Sequence, residues 1–211
     1  MAISTKTELH TAVANWLNRS DLTDRIPEFI ALAEASFNRN LRTRDMLVRS
    51  TASVSGQYVS IPTDFLEMLN IELTSTSPSR RLIYVSSDRA DDFRSQQNDT
   101  TGIPIYYTIE GESIQLTPVP DTSYTLQLNY YKTITALSGL ADSAYNQLLT
   151  SHPDVYLYGT LMQASPYLMD MEKTQIWDGL LARSMQELQS SDEASKYAGG
   201  TLSMKSKYIY T

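Results

Sequence analysis

The side chains best suited to chemistry in this sequence are carboxylates set close together. Glu110 and Glu112 flank Gly111, and Asp91 stands beside Asp92. Hydrolysis of a glycosidic bond needs two carboxyl groups across a cleft, one of them held protonated by its surroundings. The first pair falls on a predicted hairpin turn, where acids are solvated. The second falls near a predicted helix start, where negative charge complements the dipole. A cell-wall glycosidase with Glu110 or Glu112 as its acid is therefore the alternative reading, and solvated structural acids the preferred one. Ser151, His152 and Asp154 lie nearly side by side, but a triad converges in space rather than along the chain, and no Gly-x-Ser-x-Gly elbow is present. His10 falls mid-helix, on a face that the periodicity makes exposed.

With two histidines and no cysteine, neither a metal cluster nor a disulfide framework nor a thiolate nucleophile is expected. Neither Gly-x-x-x-x-Gly-Lys nor Gly-x-Gly-x-x-Gly occurs, so no P-loop or dinucleotide site is indicated. No catalytic, cofactor-binding or metal-binding residue, and no cofactor, is expected. The first residues are polar and no apolar run is long enough to cross a bilayer, so neither a secretory leader nor a membrane partner is expected. The absence of cysteine suits assembly in a reducing cytoplasm.

The charge distribution is uneven. Seventeen Lys and Arg stand against 24 Asp and Glu, a net charge of -7, which disfavours wrapping nucleic acid by counterion release. Residues 142–195 carry eight acidic and two basic side chains, whereas the last sixteen residues carry three lysines and no acid. Arg39, Arg42, Arg44 and Arg49 form one basic cluster; the favoured account is a helix end meeting acids of this chain or a neighbouring one. There are 14 tyrosines against four phenylalanines and two tryptophans. Tyrosine buries a ring yet keeps a polar tip, which suits both sheet pairing and contact surfaces. Tyr197, Tyr208 and Tyr210 lie in a Gly-, Ser- and Lys-containing end that reads as an arm ordering on a partner.

The elements follow from periodicity. Thr5 and Glu8 make a capping box ahead of Leu9, Val13, Trp16 and Leu17, predicting a helix at about 6–18. Asp21 is the expected cap of a second helix carrying Leu22, Ile26, Phe29, Ile30, Ala33, Phe37 and Leu41, with Pro27 in its first turn. From Met46 the pattern turns to strands: a hairpin about Ser55-Gly56, alternation at Leu69, Ile71 and Leu73 and at Leu82 and Tyr84, and strands at 104–110, 113–118 and 124–130. A short exposed helix is expected near 88–97. Residues 155–168 are apolar on nearly every side, marking a buried helix with a kink or stop at Pro166. A last helix places Ile176, Trp177, Leu180, Leu181, Met185 and Leu188 on one face. The expected fold is α+β: an antiparallel helical bundle of about four helices from 1–45 and 134–195, a β-rich insertion at 46–133, and an extended C-terminal arm at 196–211.

Taken together, several segments resemble the head–tail adaptor, or connector, proteins of tailed phages. They are Leu22 to Met46, Gly102-Ile-Pro-Ile-Tyr-Tyr-Thr-Ile-Glu-Gly-Glu112, Leu126-Gln-Leu-Asn-Tyr-Tyr-Lys132 and Pro153-Asp-Val-Tyr-Leu-Tyr-Gly-Thr-Leu161, in the family's order. The resemblance spans about residues 5–200. It implies a structural virion protein at the head–tail interface rather than an enzyme. It further implies a ring, twelve copies in the virion, docked under the portal protein and carrying the tail nozzle or tube, with genomic double-stranded DNA passing through its centre without specific binding. The family's portal-docking segment maps onto Lys196, Tyr197, Met204, Lys205, Lys207, Tyr208, Ile209 and Tyr210. A monomeric module whose β-section binds a protein or sugar is a further alternative.

Overall fold

The computed structural model describes residues 3–96, 100–138 and 140–197, except for the side chains of Lys196 and Tyr197. The chain divides into two compact units, one contributed by Met1–Asp45 with Ile134–Thr211 and the other by Met46–Thr133.

In the helical unit, α1 spans Lys6–Leu17. Its capping box forms: Thr5 Oγ1 accepts from the Glu8 amide at 3.3 Å and the Glu8 carboxylate accepts from the Thr5 amide at 3.0 Å. Two otherwise orphaned amides are thereby satisfied. Asn18 ends the helix in a left-handed conformation, φ 52°. The second helix, α2, spans Ile26–Asn40, with Pro27 in its first turn. Asp21 does not cap it. Residues Leu22–Arg25 form a tight turn of their own, with Arg25 and Ile26 amides both donating to Leu22 O, so Asp21 lies too early and takes a bidentate bond from Arg19 at 2.7 and 2.6 Å. Ile26, Phe29, Ile30, Ala33 and Phe37 form the buried stripe of α2.

Three helices complete this unit. They are α4 (Gln147–Ser151), α5 (Pro153–Tyr167) and α6 (Met171–Tyr197). The unit thus holds five helices among the described residues, where about four were expected. The extra one, α4, is five residues long, too short to show a period, and is capped by Asn146 Oδ1 accepting from the Leu149 amide at 2.8 Å. The hub is α5, which packs against α1, α2, α4 and α6. That explains its nearly continuous apolar sequence, and Pro166 does mark its stop, one residue before its end. Only part of the expected α6 face is buried: Leu181 and Leu188 are inside, Trp177, Leu180 and Met185 are half-buried, and Ile176 is exposed. The helix also runs through Lys196 and Tyr197, so the extended arm does not begin at residue 196.

The other unit contains β1 (Leu47–Val54), β2 (Tyr58–Ser60), β3 (Phe65–Leu73), β4 (Arg80–Arg81), β5 (Ile83–Tyr84), α3 (Ser87–Gln96), β6 (Tyr106–Glu110), β7 (Ser113–Thr117) and β8 (Tyr124–Lys132). The strands form two four-stranded sheets, ordered β1-β8-β3-β4 and β2-β7-β6-β5. One core, including Ile71, Leu73, Leu126 and Leu128 from the first sheet and Tyr107, Ile114 and Leu116 from the second, joins them. The predicted hairpin about Ser55-Gly56 is not formed. The nine-residue β8 gives the eight-residue β1 a full-length partner, Leu47 opposite Tyr131 through Val54 opposite Tyr124, while β2 pairs with β7. The Ser55-Gly56 turn therefore carries the chain from one sheet to the other. A true hairpin joins β6 and β7, where Gly111 adopts φ +57°, open to glycine without a side-chain penalty. Leu69 is exposed although Ile71 and Leu73 are buried, because a register shift between Met68 and Asn70 breaks the alternation.

Candidate functional site

The carboxylates that suggested glycoside hydrolysis serve local structure. Glu110 and Glu112 are exposed at or beside the β6–β7 turn, and the Glu110 carboxylate accepts from Ser87 Oγ at the start of α3. Asp91 pairs with Arg94 one turn along α3 at 3.4 Å, and Asp92 is exposed. Ser151 Oγ accepts from Gln147 within α4, and His152 sits at the junction of α4 and α5 with its amide donating to Leu148 O. Ser151, His152 and Asp154 make no hydrogen bond to one another. Among the described residues no group of three or more His, Asp or Glu is placed to hold a metal ion, and no helix is long and apolar enough to cross a membrane.

His10 departs from its expected exposed position. It is half-buried beside a groove of about 580 Å³ that Lys6, Asn15, Asn18, Arg19 and Asp142 also line, and its Nε2 is buried without a partner among the described residues. Burial, and then the Lys6 charge, hold its pKa below the ordinary value, against an opposing pull from Asp142. The periodicity of α1 could not reveal this, because the remote 140–144 segment is fastened beside the start of the helix, where Lys6 and Thr7 amides donate to Ala144 O and Asp142 O at 2.8 and 3.2 Å and Asp142 lines the groove with His10.

The basic cluster is shared out among separate duties. Arg42 Nη1 donates to Asn38 O and Leu41 O at 2.9 and 2.6 Å, closing the carbonyl end of α2. Arg44 gives both its amide (3.0 Å) and Nε (3.1 Å) to Asp192 Oδ1 on α6. Arg49 Nε donates to Asn129 Oδ1 across the β1–β8 pair at 3.0 Å. Of the residues mapped to portal docking, Lys196 and Tyr197 close α6, while Met204, Lys205, Lys207, Tyr208, Ile209 and Tyr210 lie outside the described residues.

A polar constellation that sequence reading missed lies inside the helical unit. Glu34, on the buried stripe of α2, accepts from the Leu137 amide at 2.8 Å and from Tyr156 Oη at 3.0 Å. Tyr156 Oη in turn accepts from Asn146 Nδ2, which also donates to Thr135 O at 2.8 Å. Four residues after Glu34, Asn38 Oδ1 accepts from the Ile134 amide at 2.8 Å. One face of α2 thus clamps the backbone of 134–137, where the chain re-enters this unit. Burial pushes the Glu34 carboxyl upward, while the two donors pull the other way; burial, then the nearby Glu34 charge, raises Tyr156. The signal was present: Glu34 stands at the spacing of Ile30 and Phe37, where an acid needs partners. Its partners lie more than 100 positions away and could not be named from the sequence.

The convergent polar groups found among the described residues hold backbone in place within the helical unit. The chain belongs to the SU10 adaptor protein family, whose model matches residues 4–204. It is a phage head–tail adaptor, a structural component of the virion at the head–tail interface that contacts other virion proteins. No curated protein matches the chain.

Proposed function

We propose that copies of this chain close into a ring, twelve in the virion, that docks beneath the portal protein and carries the tail nozzle or tube. Genomic DNA passes through the ring without specific binding, and assembly takes place in the host cytoplasm. The observation that carries this reading is family membership across nearly the whole chain. The charge balance agrees with it: a net charge of -7 suits a ring that does not grip phosphates. A closed ring needs two different faces per copy, joined head to tail. We assign docking on the portal to the end of the chain, with Lys196, Tyr197, Met204, Lys205, Lys207, Tyr208, Ile209 and Tyr210 as the contacting residues. The tyrosine-bearing stretch from 196 to 211 carries three lysines and no acid, which suits an acidic partner.

The experiment is truncation after Tyr197, with a second variant reversing Lys205 and Lys207 to Glu, each mixed with portal protein and imaged by electron microscopy. Both variants are expected to lose the collar of density below the portal while keeping their helical circular-dichroism signal. A truncated chain that still forms the collar refutes the docking assignment. A full-length chain that never forms one refutes the ring.

A further inference from the structure

One edge of the β-rich unit is long and unguarded. The other open strands are short or irregular: β2 has three residues, β4 and β5 have two each, and β3 carries two register shifts. By contrast, β1 runs eight residues without proline or register shift and carries a single charge, Arg49. It pairs with β8 on one side, so alternate amides and carbonyls turn away from β8, and none of these makes a backbone hydrogen bond elsewhere among the described residues. Such a row is a template for a further strand unless something covers it. The inner face of β1 is also unfinished. Val48 and Ala52 pack against the core of the two sheets yet are only half-buried, while Leu47, Arg49, Thr51 and Ser53 on the outer face are exposed.

The stretch 202–210, outside the described residues, has the sequence of a strand that fits this edge. Leu202, Met204, Tyr208 and Tyr210 fall on one parity with Ser206 among them, and Ser203, Lys205 and Lys207 alternate with them. A period of two gives one apolar and one polar face. Laid beside β1 with the apolar face inward, the stretch continues the cover over Val48 and Ala52 and leaves both lysines on the exposed face with Thr51 and Ser53. The chain also delivers it to the right place. Asp192 Oδ1 accepts from the Arg44 amide at 3.0 Å. Five residues after Asp192 α6 ends, about 8 Å further on. Three residues after Arg44 β1 begins, at most about 11 Å away. The arm thus leaves α6 within roughly 25 Å of Leu47, whatever the angle between the two units. Its fourteen residues, 198 to 211, reach up to about 46 Å when extended.

We propose that in the free chain residues 202–210 add to β1 as a further strand of the first sheet, and that this seat covers the edge until the portal takes the arm. Strand addition binds through main-chain hydrogen bonds and selects alternate side chains, which is what the open β1 edge and the two-residue period each supply. A tethered strand meets the edge at an effective concentration of about millimolar, so the chain's own arm prevails over that of a second copy. The release rests on the portal reading above; the seat does not.

The test uses the full chain, read by hydrogen exchange and by disulfide cross-linking. Alternate β1 amides of the wild type are expected to exchange at least about tenfold more slowly than in a variant carrying Ser206→Pro and Lys207→Pro. Of two adjacent residues one turns its amide toward β1 in any register, so the paired prolines remove a bond wherever the strand sits. The sequence has no cysteine, so an introduced pair is read without background. Thr51→Cys is combined singly with Ser203→Cys, Met204→Cys, Lys205→Cys, Ser206→Cys or Lys207→Cys. Because Thr51 lies on the outer face, one odd-numbered arm position should cross-link within the chain at least about fivefold better than its even-numbered neighbours. Equal β1 exchange in the wild type and the proline variant overturns the seat, as does a uniform cross-linking yield along 203–207. Cross-links that join only different chains overturn it too, since the occupant is then a second copy. Adding portal protein should return β1 exchange to the rate of the proline variant. If β1 stays protected on a portal-bound chain, the portal assignment of the arm fails and the seat stands; if β1 is unprotected in a free chain that still docks, the seat alone fails.

Discussion

Two helix glycines in this protein should respond oppositely to the same substitution. At Gly159 on α5, an added Cβ would lie 2.5 Å from Phe37 Cζ and 2.8 Å from Phe37 Cε1. Relaxed carbon contacts are about 3.5–4.0 Å, so the ring would have to retreat by about 1 Å. It has nowhere to go: Phe37 is fully buried and meets Tyr156 edge-on at 5.3 Å, and Tyr156 is itself held by Glu34 and Asn146. Overpacking of this kind costs about 1–3 kcal/mol. Ala is favoured over Gly in a helix by up to about 1 kcal/mol, which offsets part of that. Gly159→Ala should therefore destabilise by about 1–2 kcal/mol. At Gly179 on α6 nothing lies within 4 Å, so Gly179→Ala should keep the helix gain alone, up to about 1 kcal/mol. Urea unfolding followed by circular dichroism reads both as shifts of the midpoint at unchanged slope. In the Phe37→Leu background the cost at position 159 should shrink, with a coupling above about 0.5 kcal/mol. A Gly159→Ala chain as stable as the wild type, or equal responses at the two glycines, would refute the close approach of α2 and α5.

Two further outcomes follow from the buried polar groups. Glu34→Ala strands the Leu137 amide and Tyr156 hydroxyl and should cost about 2–4 kcal/mol in urea unfolding, with Glu34→Gln, which keeps an acceptor oxygen, costing less. Because Glu34 titrates above its ordinary value of 4.5 when folded, its contribution is full at acid pH and is lost as pH rises through the folded value; Glu34→Gln should flatten that part of the pH–stability curve, and an unchanged slope would count against burial as the cause. His10 has the reverse sign: its folded pKa lies below 6.5, so its contribution is full above that value and erodes as pH falls through it, an erosion that His10→Gln should remove in the same unfolding measurement.

The features legible along the chain were local ones. The capping box at Thr5 and Glu8, the stripe of α2, the kink or stop expected at Pro166 and the hairpin turn at Gly111 each depend on residues within a few positions, and those features form as the spacing predicts. Apart from the Asp21 cap, lost to the adjoining turn at Leu22–Arg25, the expectations at Ser55-Gly56 and His10 failed because the deciding partner was remote. The Ser55-Gly56 turn looks like a hairpin because nothing nearby says that β1 will take β8 as its partner, some 70 positions on. His10 looks exposed because its helix alone carries no mark of the remote Asp142 segment that lines the same groove.

The amino-acid order by itself determined the element types, the α+β class and, through the joint order of several weak motifs, the adaptor family, because periodicity, capping and motif order are properties of neighbouring residues. Only the tertiary structure decided which polar groups meet. Glu34 finds the Leu137 amide and Tyr156, Arg44 finds Asp192, and Arg80 to Tyr84 become the edge of two sheets at once, because burial and strand pairing select partners by position in space and not by distance along the chain.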